Sequence, residues 1–591
     1  NTDNLNRIVT YEHQLQASHE VETSHLIGSL RTLSRGQWKL YFDRISVVDR
    51  TLAQEAAGTY LRMDDTSKHT LRSRIERLSR RFNVPESLIA LKAVELAEGS
   101  LNNDEQASSH SGGSDGVPPR SSFAAYYLLD HQGVEALHES LRSCNANPRT
   151  HRGAVVRRRR GTAYLSMIGC AFIVFAVLFG WWAGSGNGLT TGAWAAAILL
   201  MLMPAAEWAI AASHTLIGGA IRSTPLLRYD YASGIPSDAK TIVVMPIIWT
   251  KLEDAEELTN RLELHYLSNP DPQLYFALLT DYADAQSERM ATDEKVYRAA
   301  RERIDELNSR YPRDNGGRTF HLFQRKRKWN ESEKAWMGWE RKRGKLVEFI
   351  GLLRGDEGTS FLERTLPAEL QDVQYMITLD ADTSMPIGAA QRMVGTIHLP
   401  YNRPRLNASR TRVVEGYGVL QPRIGVSYES VSRSRLARLW SGEPGIDPYA
   451  FAMSDPYQDT FGQGIFTGKG ILSIDSFKAV LSERIPDNHV LSHDLLEGGF
   501  LRGGLLSDIE LIDGHPATFS AYQQRLHRWV RGDWQLLCWL KPRVCNRTGE
   551  LQKVDLTALT RWQIIDNMRR SLLQPALLLA LLAAALMPFR A

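Results

Sequence analysis

The sequence predicts an α/β domain with a mostly parallel sheet, set between transmembrane helices and preceded by a helical N-terminal region. Three observations predict it. Apolar, β-rich runs alternate with amphipathic stretches between residues 221 and 570. Two apolar stretches, at 161–220, come just before that alternation, and a third begins near Leu572. Residues 1–100 are polar, with apolar residues at helical spacing. A chain of 591 residues is also too long for one core, so several domains are expected.

The N-terminal region carries "LRSRIERLSRRFNVPESLIALKAVELAEG", whose helical pattern breaks at Pro85; Glu86 and Ser87 can open a new helix. Residues 101–122 are rich in Ser, Gly, Asp and Pro and read as a flexible linker. Residues 123–160 read as a short helical segment ending in a basic pre-membrane run. Nothing before residue 150 names a chemistry; a scaffold or inter-domain contact is the plain expectation.

Ala163 to Gly184 is uncharged and long enough to cross a hydrocarbon core of roughly 30 Å. It ends in Trp181 and Trp182, which suit the membrane interface. Gly192 to Ala212 is the second span, with Pro204 and one charge, Glu207, which should face protein or water. Residues 571–591 form the third. Arg157 to Arg160 precede the first span and place that side in the cytoplasm. Two crossings return the chain, so 221–570 is expected to be cytoplasmic. The chain opens without Met or an apolar leader and stops just after an apolar segment, so it reads as part of a longer protein. The four cysteines lack metal-ligand spacing and read as free thiols, and a net charge of +4 gives no reason to expect nucleic acid.

Within 221–570, Thr241–Trp249, Leu274–Asp281, "TFHLFQRK" and "VQYMITLDADT" read as strands. Ligands of such sheets bind outside the carboxyl ends of the strands. Asp281 and the pair Asp380 and Asp382 sit at such ends. An Asp-x-Asp there can hold a hard divalent cation against a departing diphosphate, although Asp is also an ordinary turn residue. "LSHDLLEGGFLRGG" supplies Asp494 as a carboxylate base, with Glu497 one turn on; Ser492 or Asp494 could also cap a helix. "QQRLHRWVRGDWQ" interleaves Arg525, Arg528 and Arg531 with Trp529 and Trp534. That pattern suits a pyrophosphate and a sugar ring, or a helix lying at lipid headgroups. "WMGWERKRGKLVEF" carries Arg341, Lys342, Arg343 and Lys345, with Gly344 permitting close approach to phosphate; a solvated basic face is the alternative.

The order of Asp281, Asp380-x-Asp382, Asp494 and Arg525-x-x-Arg528-Trp529 resembles the processive family 2 glycosyltransferases such as cellulose synthase. The likeness implies a GT-A fold. It implies that Asp281 contacts the nucleoside and that Asp380 and Asp382 bind metal and diphosphate. Asp494 would be the base, and Arg525, Arg528 and Trp529 would hold donor and acceptor. Two departures stand out: Ser-His-Asp replaces Thr-Glu-Asp, and Arg525 occupies the Gln position, with Gln524 just before it. "GWERKRGKLVEF", "TLDADT", "LSHDLLEG", "QRLHRWVRGDWQ" and "YYLLDHQGVEAL" together look like the cyclic β-1,2-glucan synthase family, whose transferase portion is glycosyltransferase family 84. This likeness runs over nearly the whole chain. It implies a bacterial inner-membrane enzyme using UDP-glucose and linear β-1,2-glucan built on a tyrosine of the enzyme itself; Mg²⁺ or Mn²⁺ is expected at Asp380 and Asp382, and Arg343 and Lys345 of the basic run are expected donor contacts. Cyclisation and phosphorylase-like domains would lie C-terminal of this chain. A cellulose- or hyaluronan-like synthase that secretes its polymer, and a non-catalytic membrane scaffold, are the alternatives.

The stretch Ser441 to Gly470 is rich in Gly, Pro and Asp and reads as a long loop. Tyr449 and Tyr457 in it each follow Asp-Pro; Tyr449 is the first candidate primer and Tyr457 the second, against a plain packing role for either. "FTGKG", Phe466 to Gly470, is a candidate part of the acceptor site by analogy with cellulose synthase.

Overall fold

The computed structural model describes residues 2–35, 45–108, 118–143, 160–184, 191–221, 223, 225–314, 316–440, 455–490 and 493–586. Its centre is a seven-stranded sheet. The strands are β1 (Thr241–Trp249), β2 (Leu274–Tyr282), β3 (Phe320–Gln324), β4 (Tyr375–Thr378), β5 (Val419–Val426), β6 (Gly470–Ser473) and β7 (Gly503–Asp513). Their spatial order is β7-β5-β6-β4-β1-β2-β3. The block β4-β1-β2-β3 is parallel, and β5 and β7 are parallel to each other. β6 lies between the two blocks and is antiparallel to both neighbours, so the sheet is mixed.

The period of two along each strand divides the molecule. Val243, Met245, Phe276, Leu278 and Ile377 point into one core, which they share with Leu71, Ile75, Leu78 and Leu137 of the N-terminal helices. Ile242, Val244, Tyr275, Ala277 and Met376 point into a second core. That one is filled by Leu346, Phe349 and Phe500 and by Tyr164 and Ile210 of the apolar helices. Strands buried on both faces have no need of polar alternation, which is why β1 and β2 read as continuous apolar runs.

Two helices, Arg160–Gly184 and Thr191–Ala220, pack side by side. By length and composition both can cross a membrane, and only 17% and 28% of their most apolar windows are buried, unlike the core helices of a soluble domain. Glu207 meets protein, accepting from Arg569. The expected third span falls on the far half of the helix Ala558–Leu586, where Leu577, Leu578, Leu579, Leu581 and Leu582 are exposed, but among the described residues only the first two helices are long and apolar enough to count as spans. That helix begins well before the expected boundary at 571, because its first turns bury Thr560, Gln563 and Ile564 in the second core.

In the N-terminal region Asp64 caps the helix Asp65–Phe82, and Asn83 ends it in a left-handed turn. The next helix runs from Glu86 to Ser108, well into the expected linker, since no Gly or Pro interrupts residues 100–111. Residues 109–117 of that linker lie outside the described set. At its far end Arg120–Ser122 form a 3-10 turn, and the Arg120 guanidinium donates to the Tyr401 carbonyl (2.9 Å).

Candidate functional site

The site gathers at the carboxyl end of β4. Leu379 extends the pairing by donating to the Val244 carbonyl, and the chain then turns. Thr383 donates to Asp513 at the end of β7 (2.6 Å), and the Ser384 and Ile512 backbones exchange two hydrogen bonds. These ties fix the Asp380–Asp382 turn against the sheet.

Asp380 is half-buried. Its Oδ1 accepts from Lys342 Nζ (2.6 Å), and its Oδ2 lies 3.1 Å from Lys469 Nζ, which also pairs with Asp513. Burial pushes the Asp380 carboxyl up, but the two ammonium groups outweigh it and hold it far below the usual carboxylate range. The same pairing raises Lys342 and Lys469 against the opposing effect of their burial. Asp382 is exposed, and among the described residues it accepts no hydrogen bond.

Lys342 is also the link to the second carboxylate. Its ammonium donates to the Gly468 carbonyl (3.0 Å), which Thr378 Oγ1 approaches to 3.2 Å. Gly468 has φ +84°, a left-handed conformation that favours glycine, and a Cβ built there would sit 2.5 Å from Asp494 Oδ1. The backbone of "FTGKG" thus lies directly against the Asp494 carboxyl. Asp494 is the first residue of the helix Asp494–Leu501, whose cap position is His493 with no side-chain cap bond. Ser492 lies outside the described residues. His493 Nδ1 is 2.8 Å from Glu497 Oε1 and 3.4 Å from Asp494 Oδ1. Burial, with the Glu497 charge adding to it, raises the Asp494 carboxyl despite the nearby cations.

Asp281 stands apart. It is 2% exposed, and both its oxygens are taken: Arg325 donates to Oδ1 (2.7 Å) and Oδ2 (2.8 Å), and Lys345 Nζ lies 3.0 Å from Oδ2. Burial raises its carboxyl, but Lys345 and Arg325 together bring it below the usual range. Burial brings the Lys345 ammonium down to about 8.

The basic run is therefore neither a solvated face nor a single phosphate grip. Of its cations Lys342 reaches Asp380, Lys345 turns to Asp281 and the Ile247 carbonyl, and Arg343 turns to Glu340 (2.6 Å) and the Ile485 carbonyl. Gly344 makes its close approach to the Trp339 carbonyl of its own turn rather than to open space. Lys342 and Lys469 had only a weak sequence signal: each stands inside a stretch singled out for other reasons. Arg525, Arg528 and Trp529 lie on the helix Phe519–Gln535, which is exposed along most of its length. Arg525 stacks over the Trp529 ring at 4.6 Å. Among the described residues no hydrogen bond or ion pair joins this trio to Asp380, Asp382 or Asp494. The helix rests instead on Ala558–Leu586, through Trp534 to Ser571 (3.0 Å) and Asn567 to Asp533 (3.1 Å).

Tyr449 lies outside the described residues. Tyr457 is fully buried in the helix Pro456–Phe461, with its ring against Tyr164 and His214 of the two apolar helices. Its ring covers the face of the two apolar helices at that point.

No protein-family model matches the chain. The chain is 37% identical over 587 residues to the cyclic β-(1,2)-glucan synthase NdvB of Rhizobium meliloti (strain 1021). The match covers 98% of this chain and 20% of the relative, so the chain spans about a fifth of the relative's length. An alignment of that extent runs through both apolar helices, the sheet and every carboxylate described above, so the likeness covers the whole of the described fold.

Proposed function

We propose that the chain is the glucosyltransferase portion of a cyclic β-1,2-glucan synthase, with a GT-A fold, anchored in the bacterial inner membrane by several spans and facing the cytoplasm. It transfers glucose from UDP-glucose with inversion, building linear β-1,2-glucan on a tyrosine of the protein. Cyclisation falls to domains of the longer polypeptide that this chain does not include. One observation carries the reading: Lys342 pairs with Asp380 and donates to the Gly468 carbonyl, and the Gly468 backbone lies directly against Asp494, so two aspartates far apart in sequence stand side by side. A donor-side carboxylate and an acceptor-side carboxylate must be this close for one transfer to use both.

In this reading Asp494 removes the proton from the 2-hydroxyl of the growing chain, or from the tyrosine phenol in the first round. The freed oxygen attacks the anomeric carbon as the UDP oxygen leaves. Lys342 and Lys469 stand where the departing diphosphate gathers negative charge. Asp281, with Lys345 beside it, is the uridine-side group, and Arg343 supports that wall through Glu340. Arg525, Arg528 and Trp529 meet the diphosphate and acceptor from the membrane side. Asp380 and Asp382 suit Mg²⁺ or Mn²⁺, since Asp380 stays ionised and Asp382 presents an exposed carboxylate without a hydrogen bond among the described residues. The cation would neutralise charge on the diphosphate. Tyr449 is the proposed primer, because the buried Tyr457 would have to abandon its packing to react.

The test incubates the full protein with radiolabelled UDP-glucose and Mg²⁺ or Mn²⁺, then separates it on a denaturing gel. Label on the protein band, lost in Tyr449→Phe, is the expected result. Label only in free polymer would overturn self-priming in favour of a secreting synthase.

A further inference from the structure

The residue beside the base is the strongest unexplained feature. His493 and Glu497 are 5% and 2% exposed and one helical turn apart. Together with Asp494 they bring one nitrogen and two carboxylate oxygens within 4.8 Å of one another. Two carboxylates so placed, one of them fully buried, repel unless a cation lies between them. Lys342 is near, but its ammonium is committed to Asp380 and the Gly468 carbonyl. Arg343 is committed to Glu340. Among the described residues no lysine or arginine pairs with Asp494 or Glu497, and the only ring nitrogen between them is Nδ1 of His493.

We propose that His493 is a positioning residue for the base: as an imidazolium anchored by Glu497, it holds the Asp494 carboxylate in place and ionised. The inference rests on the assignment of Asp494 as base. Glu497 is held in its helix, where its backbone N–H donates to the His493 carbonyl (3.0 Å), and its Oε1 stands at ion-pair distance from the ring (2.8 Å). With Asp494 Oδ1 turned to the ring, Oδ2 is left for the acceptor hydroxyl. Burial disfavours the charged imidazole, but Glu497 and Asp494 outweigh it, with Arg343 opposing them. Lys342 and Asp380 are the other charged groups facing Asp494. The proton is therefore held to higher pH than on an ordinary imidazole and is lost as pH rises further. Asp494 and Glu497 then face each other uncompensated, and Asp494 loses the charged partner that holds it in line with the acceptor.

The test compares His493→Gln, His493→Ala and Glu497→Gln in the full-length membrane protein, reading UDP-glucose binding, KM, kcat and the pH profile of kcat. Expected is a kcat loss of about 10- to 100-fold for both His493 variants, with donor binding within twofold of the parent. Added imidazole should restore part of the His493→Ala rate. In Glu497→Gln the alkaline limb of kcat should move to lower pH, which a merely structural contact would not cause. A parental kcat and pH profile in His493→Gln would overturn the proposal. So would the disappearance of a tightly bound divalent ion from that variant, since the cluster would then be a metal site. Asp494→Asn separates the two readings: if it turns over normally the base assignment fails, whatever His493 does.

Discussion

Two clusters of charge flank β1, and they differ in how completely they are satisfied. Around Asp281 every partner is present: a bidentate guanidinium, an ammonium and almost no exposure. Around Asp380 and Asp494 one carboxylate is doubly paired, its neighbour Asp382 faces solvent, and Asp494 shares an imidazole with Glu497. Closed pairing holds a wall in place. Incomplete pairing keeps charge available for something that arrives. Both clusters contain aspartates at strand ends, so residue type alone does not separate them.

The sharpest way to break the closed cluster is Asp281→Ala. It leaves Lys345 buried without its anion and Arg325 with only the longer contact to Glu348 (3.3 Å), and the expected loss of stability is about 3–5 kcal/mol, read by thermal or denaturant unfolding. Parental stability would mean that the cluster is not as closed as it looks. In the open cluster Asp494→Asn should fold normally, bind UDP-glucose and lose about 10³-fold in kcat. Lys342→Met should cost about 1.5–3 kcal/mol in kcat/KM, as a charge-assisted contact to phosphate is removed, with little change in unfolding. A stability loss larger than the catalytic one would make Lys342 part of the wall.

Acid sharpens the comparison further. The Asp281 carboxyl lies lower in the folded protein than in the unfolded chain, where it is about 3.9. Its contribution is complete above that value and is lost as pH falls through the lower one. Asp281→Asn should therefore flatten the acid limb of stability. The smallest effect belongs to Tyr457→Phe. It keeps the ring against Tyr164 and His214 and should cost about 1 kcal/mol or less, with protein-linked label intact. Loss of label in that variant would return Tyr457 to the primer role.

The strands, the apolar helices and the strand-end aspartates were legible because each rests on local pattern: runs, length, and a motif followed by a turn. Lys342 was not separable from Arg343 and Lys345, because three cations on one helical turn point in different directions and only the neighbours across the sheet say where. Lys469 needed the antiparallel register in which Gly470 faces Thr378, a pairing across about 90 residues that no local pattern carries. The helix to Ser108 extended beyond its expected end because a polar stretch without Gly or Pro can stay helical when its first turns are packed. Tyr457 was placed on a loop by composition, and the wall that buries it comes from helices far earlier in the chain.

The sheet that divides the two cores has a bearing on modularity. Adjacent residues of β1, such as Ile242 and Val243, belong to different cores, so the strand is common property. The helices between residues 47 and 143 are consequently not a removable module: excising them would strip one face of the sheet bare. The helix Thr2–Arg35, exposed along its described length, has no such stake, and its loss is one the sheet would not register.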